Sequence, residues 1–164
     1  MINIVVYSIL LLIVLGCIYY VYIPNTIIRV KKGQVFNFKQ AVELSGLPIV
    51  TLYQEGKAYN FLFDTGSNVS HLHSGSDVKI TNFEDKTDSV GGLTENKECK
   101  IGTVSLWHDK HQFINKFRYS DMSFVVQGVK EAYGINMVGI IGTDFMDKYN
   151  YCLDFKEYVI YTRK

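Results

Sequence analysis

Phe61-Leu62-Phe63 runs straight into Asp64, and Thr65, Gly66 and Ser67 follow at once. An apolar run of this kind suits a buried strand, and a carboxylate at its end is costly to bury without partners. The fold must therefore either surface at Asp64 or bring other groups to meet it. A turn aspartate is the bland form of the first solution, since Asp, Gly, Ser and Asn all favour turns.

The chain around this point reads as short strands separated by turns. Leu47 to Tyr53 is a strand, Gln54 to Lys57 a turn through Gly56, and Ala58 to Phe63 a second strand that ends in Asp64. Residues 71 to 88 are polar, and a Gly91-Gly92 pair lies between probable strands. Lys100 to His108 and Met122 to Val129 read as further strands, with a polar segment from His108 to Asp121 between them. Val138 to Ile141 leads into one short helix within Gly142 to Asn150. Tyr151 to Phe155 and Tyr158 to Thr162 then close the chain as a hairpin about Lys156-Glu157. The expected fold class is all-β, a small closed barrel with one late helix.

The N-terminal residues 1–23 carry no charged side chain and are long enough, as a helix of about 33 Å, to cross a bilayer. Tyr19, Tyr20 and Tyr22 fit an interfacial aromatic belt. The expected organisation is a transmembrane anchor over 1–23, a juxtamembrane connector over 24–40 with a short strand at Val35 to Phe38, and a folded domain over 41–164. Arg29, Lys31 and Lys32 follow the apolar run while no basic side chain precedes it, which places the domain on the cytoplasmic side.

With 164 residues and a net charge of +1, the chain gives no reason to expect a nucleic-acid partner. Three cysteines are too few for a disulfide framework; Cys99 and Cys152 either pair or remain as two buried thiols. His71, His73, His108 and His111 read as polar loop histidines, because no Cys or Glu completes a metal-ligand set. Trp107 and the Tyr and Phe residues read as core or as dimer contacts near the C-terminus, and Lys116 and Arg118 as a solvated face.

Several features fall in a fixed order: a hairpin before Asp-Thr-Gly-Ser, a Gly-Gly turn 27 to 28 residues after Asp64, Ile140-Ile141-Gly142 ending 78 residues after it, and a closing Leu-Asp-Phe hairpin. Residues from about Pro48 to Thr162 thereby resemble the retropepsin-type, single-lobed aspartic proteases. The resemblance implies a barrel-like lobe working as a homodimer on polypeptide substrates, with no metal or organic cofactor. Asp64 is then the catalytic residue, supported in its loop by Thr65, Gly66 and Ser67. Thr65 would bond across the two-fold axis, the Gly66 N–H would hold the carboxylates, and the Ser67 hydroxyl would donate to the outer oxygen of Asp64. Ser89, Val90, Gly91, Gly92 and Leu93 would form the flap, and Ile140, Ile141 and Gly142 would pack beneath the loop and shape the cleft. The spacing from Asp64 to Gly142 exceeds that of the compact viral members, with the surplus placed near residues 108 to 120.

The chemistry itself also requires two copies. Aspartic protease catalysis uses two carboxylates that share a proton, since like charges about 3 Å apart cannot both ionise. This chain has one Asp-Thr-Gly and is too short for two lobes. Two other classes of function fit the same residues: a barrel that binds peptides at the membrane without turnover, and a tethered barrel for a small apolar ligand in which Asp64 is a turn residue.

Overall fold

The computed structural model describes residues 32–88 and 97–163. In chain order the elements are β1 (Lys32–Asn37), α1 (Lys39–Ser45), β2 (Ile49–Gln54), β3 (Lys57–Phe63), β4 (His71–His73), β5 (Thr81–Asp88), β6 (Lys97–His108) and β7 (His111–Ser120). They continue with α2 (Ser123–Tyr133), β8 (Met137–Ile141), α3 (Thr143–Lys148), β9 (Tyr151–Asp154) and β10 (Val159–Arg163). The strands β2-β3-β8-β4-β7-β6 form one sheet that closes on itself where Tyr53 of β2 pairs with Trp107 of β6. This closed barrel has six strands, β5 extends it as an outer partner of β6, and β1-β10-β9 make a separate three-stranded sheet.

Closure removes sheet edges that would otherwise leave unpaired backbone groups. The seam is also held by a buried side chain. Gln54, 9% exposed, donates from Nε2 to the carbonyls of Lys79 and Ser105 at 3.0 and 3.1 Å, and its Oε1 accepts the Lys79 N–H at 2.7 Å. The β2–β3 hairpin turns through Glu55 and Gly56 with φ of 51° and 79°, the paired positive values that suit a tight two-residue connection.

Alternation decides what lies inside. Tyr59, Phe61 and Phe63 of β3, Phe113 and Phe117 of β7, and Leu72 of β4 point into the barrel and are buried. A second aromatic cluster joins the small sheet to it: Phe36 lies 5.2 Å from Tyr151 and 6.0 Å from Phe63, ring centre to ring centre, and Phe145 stacks on Tyr151 at 5.8 Å.

Four local expectations change. The compact unit begins at Gly33, so the latter part of the expected connector belongs to the fold, with Phe36 and Phe38 each 1% exposed. The polar segment between the expected strands is not a break but continues them as the regular β6–β7 ladder, with Phe113, Asn115 and Phe117 turned inward. Met122 to Val129 is helical rather than extended. Asp121 accepts the Ser123 N–H at 2.9 Å at the start of α2, and Gly134, at φ 71°, ends it by donating to the Lys130 carbonyl. The described residues thus hold three helices instead of one. Trp107 is 41% exposed on the outer face opposite Tyr53, not core.

The expected anchor over 1–23 lies outside the described residues. Among the described residues no helix is long and apolar enough to cross a membrane.

Because Phe36 sits between the two sheets, Phe36→Ala is expected to cost about 3–5 kcal/mol of unfolding free energy, read by denaturant titration. A loss below about 1 kcal/mol would mean that β1 adds little to the core.

Candidate active site

Asp64 follows the last residue of β3 and continues its ladder: its N–H donates to the Ile141 carbonyl at 3.0 Å. The apolar strand therefore delivers the carboxylate to the end of the barrel beside β8, half-buried rather than enclosed. The chain then turns tightly. The Gly66 N–H donates to Asp64 Oδ1 at 2.8 Å, and the Ser67 N–H donates to the Asp64 carbonyl at 3.2 Å. That bond fixes the orientation of the carboxylate relative to the turn.

Thr65 is exposed at the tip of this loop. The Ser67 hydroxyl, expected on Asp64, donates instead to the Val69 carbonyl at 2.6 Å and so shapes the loop's return. Ile140 and Ile141 diverge. Ile141 is fully buried beneath the loop, whereas Ile140 is half-buried on the outer face opposite Leu62. Ser89, Val90, Gly91, Gly92 and Leu93 lie outside the described residues. The hairpin that leads to them is present, with β5 and β6 paired antiparallel out to Asp88 and Lys97.

Gly142 is where loop and helix meet. A Cβ there would lie 2.6 Å from the Val69 carbonyl oxygen and 2.8 Å from that of Ser67, both backbone atoms that cannot yield cheaply. The close approach lets the Thr143 N–H donate to the Ser67 carbonyl at 2.9 Å.

Three residues outside the expected site lock this arrangement. The Ser70 hydroxyl, fully buried, donates to Asp144 Oδ1 at 2.7 Å and accepts the Gly142 N–H at 3.1 Å. Asn115, 6% exposed, donates from Nδ2 to Ser70 Oγ and to Asp144 Oδ2, each at 3.2 Å. One knot of hydrogen bonds thus ties the 64–70 loop to β7 and to the first turn of α3. Nothing local in the sequence announces it, because Ser70 and Asp144 are 74 residues apart.

His71 and His73 occupy β4 rather than a loop, and His108 and His111 face each other at the end of the β6–β7 ladder. Among the described residues no group of His, Cys, Asp or Glu is arranged to hold a metal ion. Cys152 on β9 is a free thiol. Lys116 lies on the solvated face and binds both carboxylate oxygens of Glu84 at 2.9 Å, but Arg118 is half-buried. The His71 pKa is lowered from the ordinary histidine range, first by burial and then by the nearby Arg118 charge, with Asp144 acting in the opposite sense.

No protein-family model matches the chain, and no curated protein does so. Among solved structures it is similar to the EIAV protease complexed with the inhibitor HBY-793, at 18% identity over 64% of this chain and 89% of that one, with a TM-score of 0.44.

Two outcomes are expected. Ser70→Ala leaves Asp144 and the Gly142 N–H short of a partner in a buried setting, and should cost about 1–3 kcal/mol of stability in denaturant unfolding. A depressed His71 pKa means that the unfolded state binds more protons, so stability falls as pH drops from the ordinary histidine pKa through the folded one. Unfolding titrations across that window should show a shallower acid-side decline in His71→Gln than in the parent; an identical slope would assign the decline elsewhere.

Proposed function

We propose that this chain is an aspartic endopeptidase whose dyad is made of Asp64 from two copies in a homodimer. The observation that carries the reading is the setting of Asp64: an apolar strand presents its carboxylate half-exposed at the barrel's end, with Oδ1 held by the Gly66 N–H. One such group has too little to do alone. Two of them across a two-fold axis share a proton, because burying both as anions is prohibitive. In that pair the ionised carboxylate takes a proton from a water molecule as it attacks the scissile carbonyl carbon. The protonated carboxylate meanwhile donates to the carbonyl oxygen. Collapse of the tetrahedral species breaks the C–N bond, and the amine leaves with a proton returned by the dyad.

The rest of the assignment follows. Thr65, exposed at the loop tip, would meet its counterpart across the axis. Residues 89–93 serve as the flap, covering an extended polypeptide that binds as an added strand. Anchoring both copies through residues 1–23 on the cytoplasmic side of a membrane raises their effective concentration and favours a weak dimer.

The test uses the full chain in detergent, a diverse peptide library and mass spectrometry. Asp64→Asn should abolish cleavage. In equal mixtures of parent and Asp64→Asn chains, random pairing leaves about a quarter of dimers with two carboxylates, so activity should fall to about a quarter of that of an all-parent sample at equal total protein. A fall to one half would mean that each chain acts alone. Binding of peptides without any cut would favour the module without turnover.

A further inference from the structure

The helix α2 is apolar on two faces, and the fold covers only one of them. Met122, just before its first turn, is buried, and Val126 and Val129, which follow it at helical spacing on the same face, are half-buried. On another face Phe124, Gly128 and Ala132 follow one another four residues apart, with Val125 beside them. Phe124 is 93% exposed, more than any other large apolar side chain among the described residues, and Val125 is 42% exposed. The neighbouring helix α1 packs against α2 and exposes Leu44. A helix that is apolar on nearly every side is suited to apolar surroundings on every side.

Its polar residues fill one narrow sector, made of Ser123, Gln127, Lys130 and Glu131. Gln127 Nε2 donates to Glu131 Oε1 at 2.7 Å, which draws that carboxylate toward the sector and off the Phe124 face. Lys130 and Glu131 balance in charge, so the helix gives a strongly charged partner nothing to recognise. A second copy pairing at Asp64 does not cover the Phe124 face either. After Gly134 the chain enters β8 at Met137, whereas Asp64 is bonded to Ile141 at the other end of that strand, about 13 Å further on.

The chain ahead of the compact unit points to the occupant. Residues 1–23 carry no charged side chain, and residues 24–32 then lead to Gly33, where the unit begins. Extended, that tether reaches about 30 Å. The run from Gly33 to the start of α1 at Lys39 covers only about 20 Å even when fully extended. A tether of this length lets α1 and α2 rest on the surface of a bilayer that residues 1–23 enter.

We propose that α2, with Leu44 of α1, is a membrane-docking surface whose Phe124, Val125, Gly128 and Ala132 face lies at the boundary between headgroups and acyl chains. Such docking requires that residues 1–23 enter the bilayer, and it goes beyond the endopeptidase reading without depending on it. A helix of this kind binds through its apolar area, with its polar sector left in water. Tyr133, exposed at the last turn, combines a ring with a hydroxyl and suits the same boundary. Where a tether alone limits distance, a docked helix also limits rotation. Two docked copies therefore share an orientation before they meet, which lowers the ordering cost of pairing.

The experiment places the full chain in nanodiscs of phosphatidylcholine and phosphatidylglycerol, with acyl chains either plain or brominated. Trp107, the single tryptophan, is replaced in Trp107→Phe, and Phe124→Trp supplies the probe. Brominated lipid should quench its emission about twofold or more, with a shift to the blue in plain lipid relative to detergent-free unfolded chain. Adding Leu44→Glu and Val125→Glu should remove most of the quenching while circular dichroism stays unchanged. Quenching that survives those two substitutions overturns the proposal, because the contact then runs through another face. A chain that enters the discs but shows no quenching at position 124 overturns it too and leaves the anchor standing. Shielding of the probe that grows with the number of chains per disc, without quenching, assigns the face to a second copy and overturns lipid docking. A chain that stays out of the discs altogether overturns both the anchor and the docking surface.

Discussion

The site depends on how closely the chain approaches itself at Gly142. With no side chain there, the 67–69 backbone lies where a Cβ would otherwise sit, and the first turn of α3 can bond directly to the loop through Thr143 and Ser67. On its other side the same loop is bonded to β8 through Asp64 and Ile141. The loop is thus gripped from two directions by elements that are themselves packed into the core. Asp64 is positioned by the barrel as a whole, and its loop contributes mainly the Gly66 N–H that meets the carboxylate. This is the arrangement a reaction needs when misplacement of an ångström matters.

A second consequence concerns charge. Asp144 lies in the first turn of α3, where its carboxylate oxygens accept from Ser70 and Asn115. That anion also acts on His71, partly offsetting the effects of burial and of Arg118. The knot beneath the loop and His71 on the outer face are therefore electrostatically linked. Removing Asp144's charge would loosen the loop and remove the influence that raises the His71 pKa at the same time.

What was legible in the sequence was local. The β2–β3 hairpin carries its turn glycine and its alternation together, the closing β9–β10 hairpin is equally explicit, and the arrest of an apolar strand at Asp64 marks the site without any knowledge of the fold. The β7 strand was missed because Asn115, Lys116 and Arg118 dilute its apolar residues. Only Phe113 and Phe117, four apart, mark the inward face, and that spacing suits a helix as well as a strand. The α2 helix was misread because Phe124, Val125 and Val126 are strand formers, while the signals that decide the matter, Asp121 before it and Gly134 after it, are single residues at its ends. Missing β7 also hid the outer face: with 113 and 117 turned inward, Arg118 must turn outward beside His71, a neighbour fixed by a register that no local pattern reveals.

The proposed dyad gives these local facts a common logic. A lone, half-exposed carboxylate is inexpensive for a monomer to carry, because water still solvates it. Two of them brought together lose that solvation and must share a proton, so the chemically useful state is created by association and is lost on separation. For such a site the fold's contribution is to hold each half rigid beforehand, so that little ordering remains to oppose pairing. The double grip on the 64–70 loop does this within one copy, and the buried Ser70–Asp144–Asn115 knot keeps it so whether or not a partner is present.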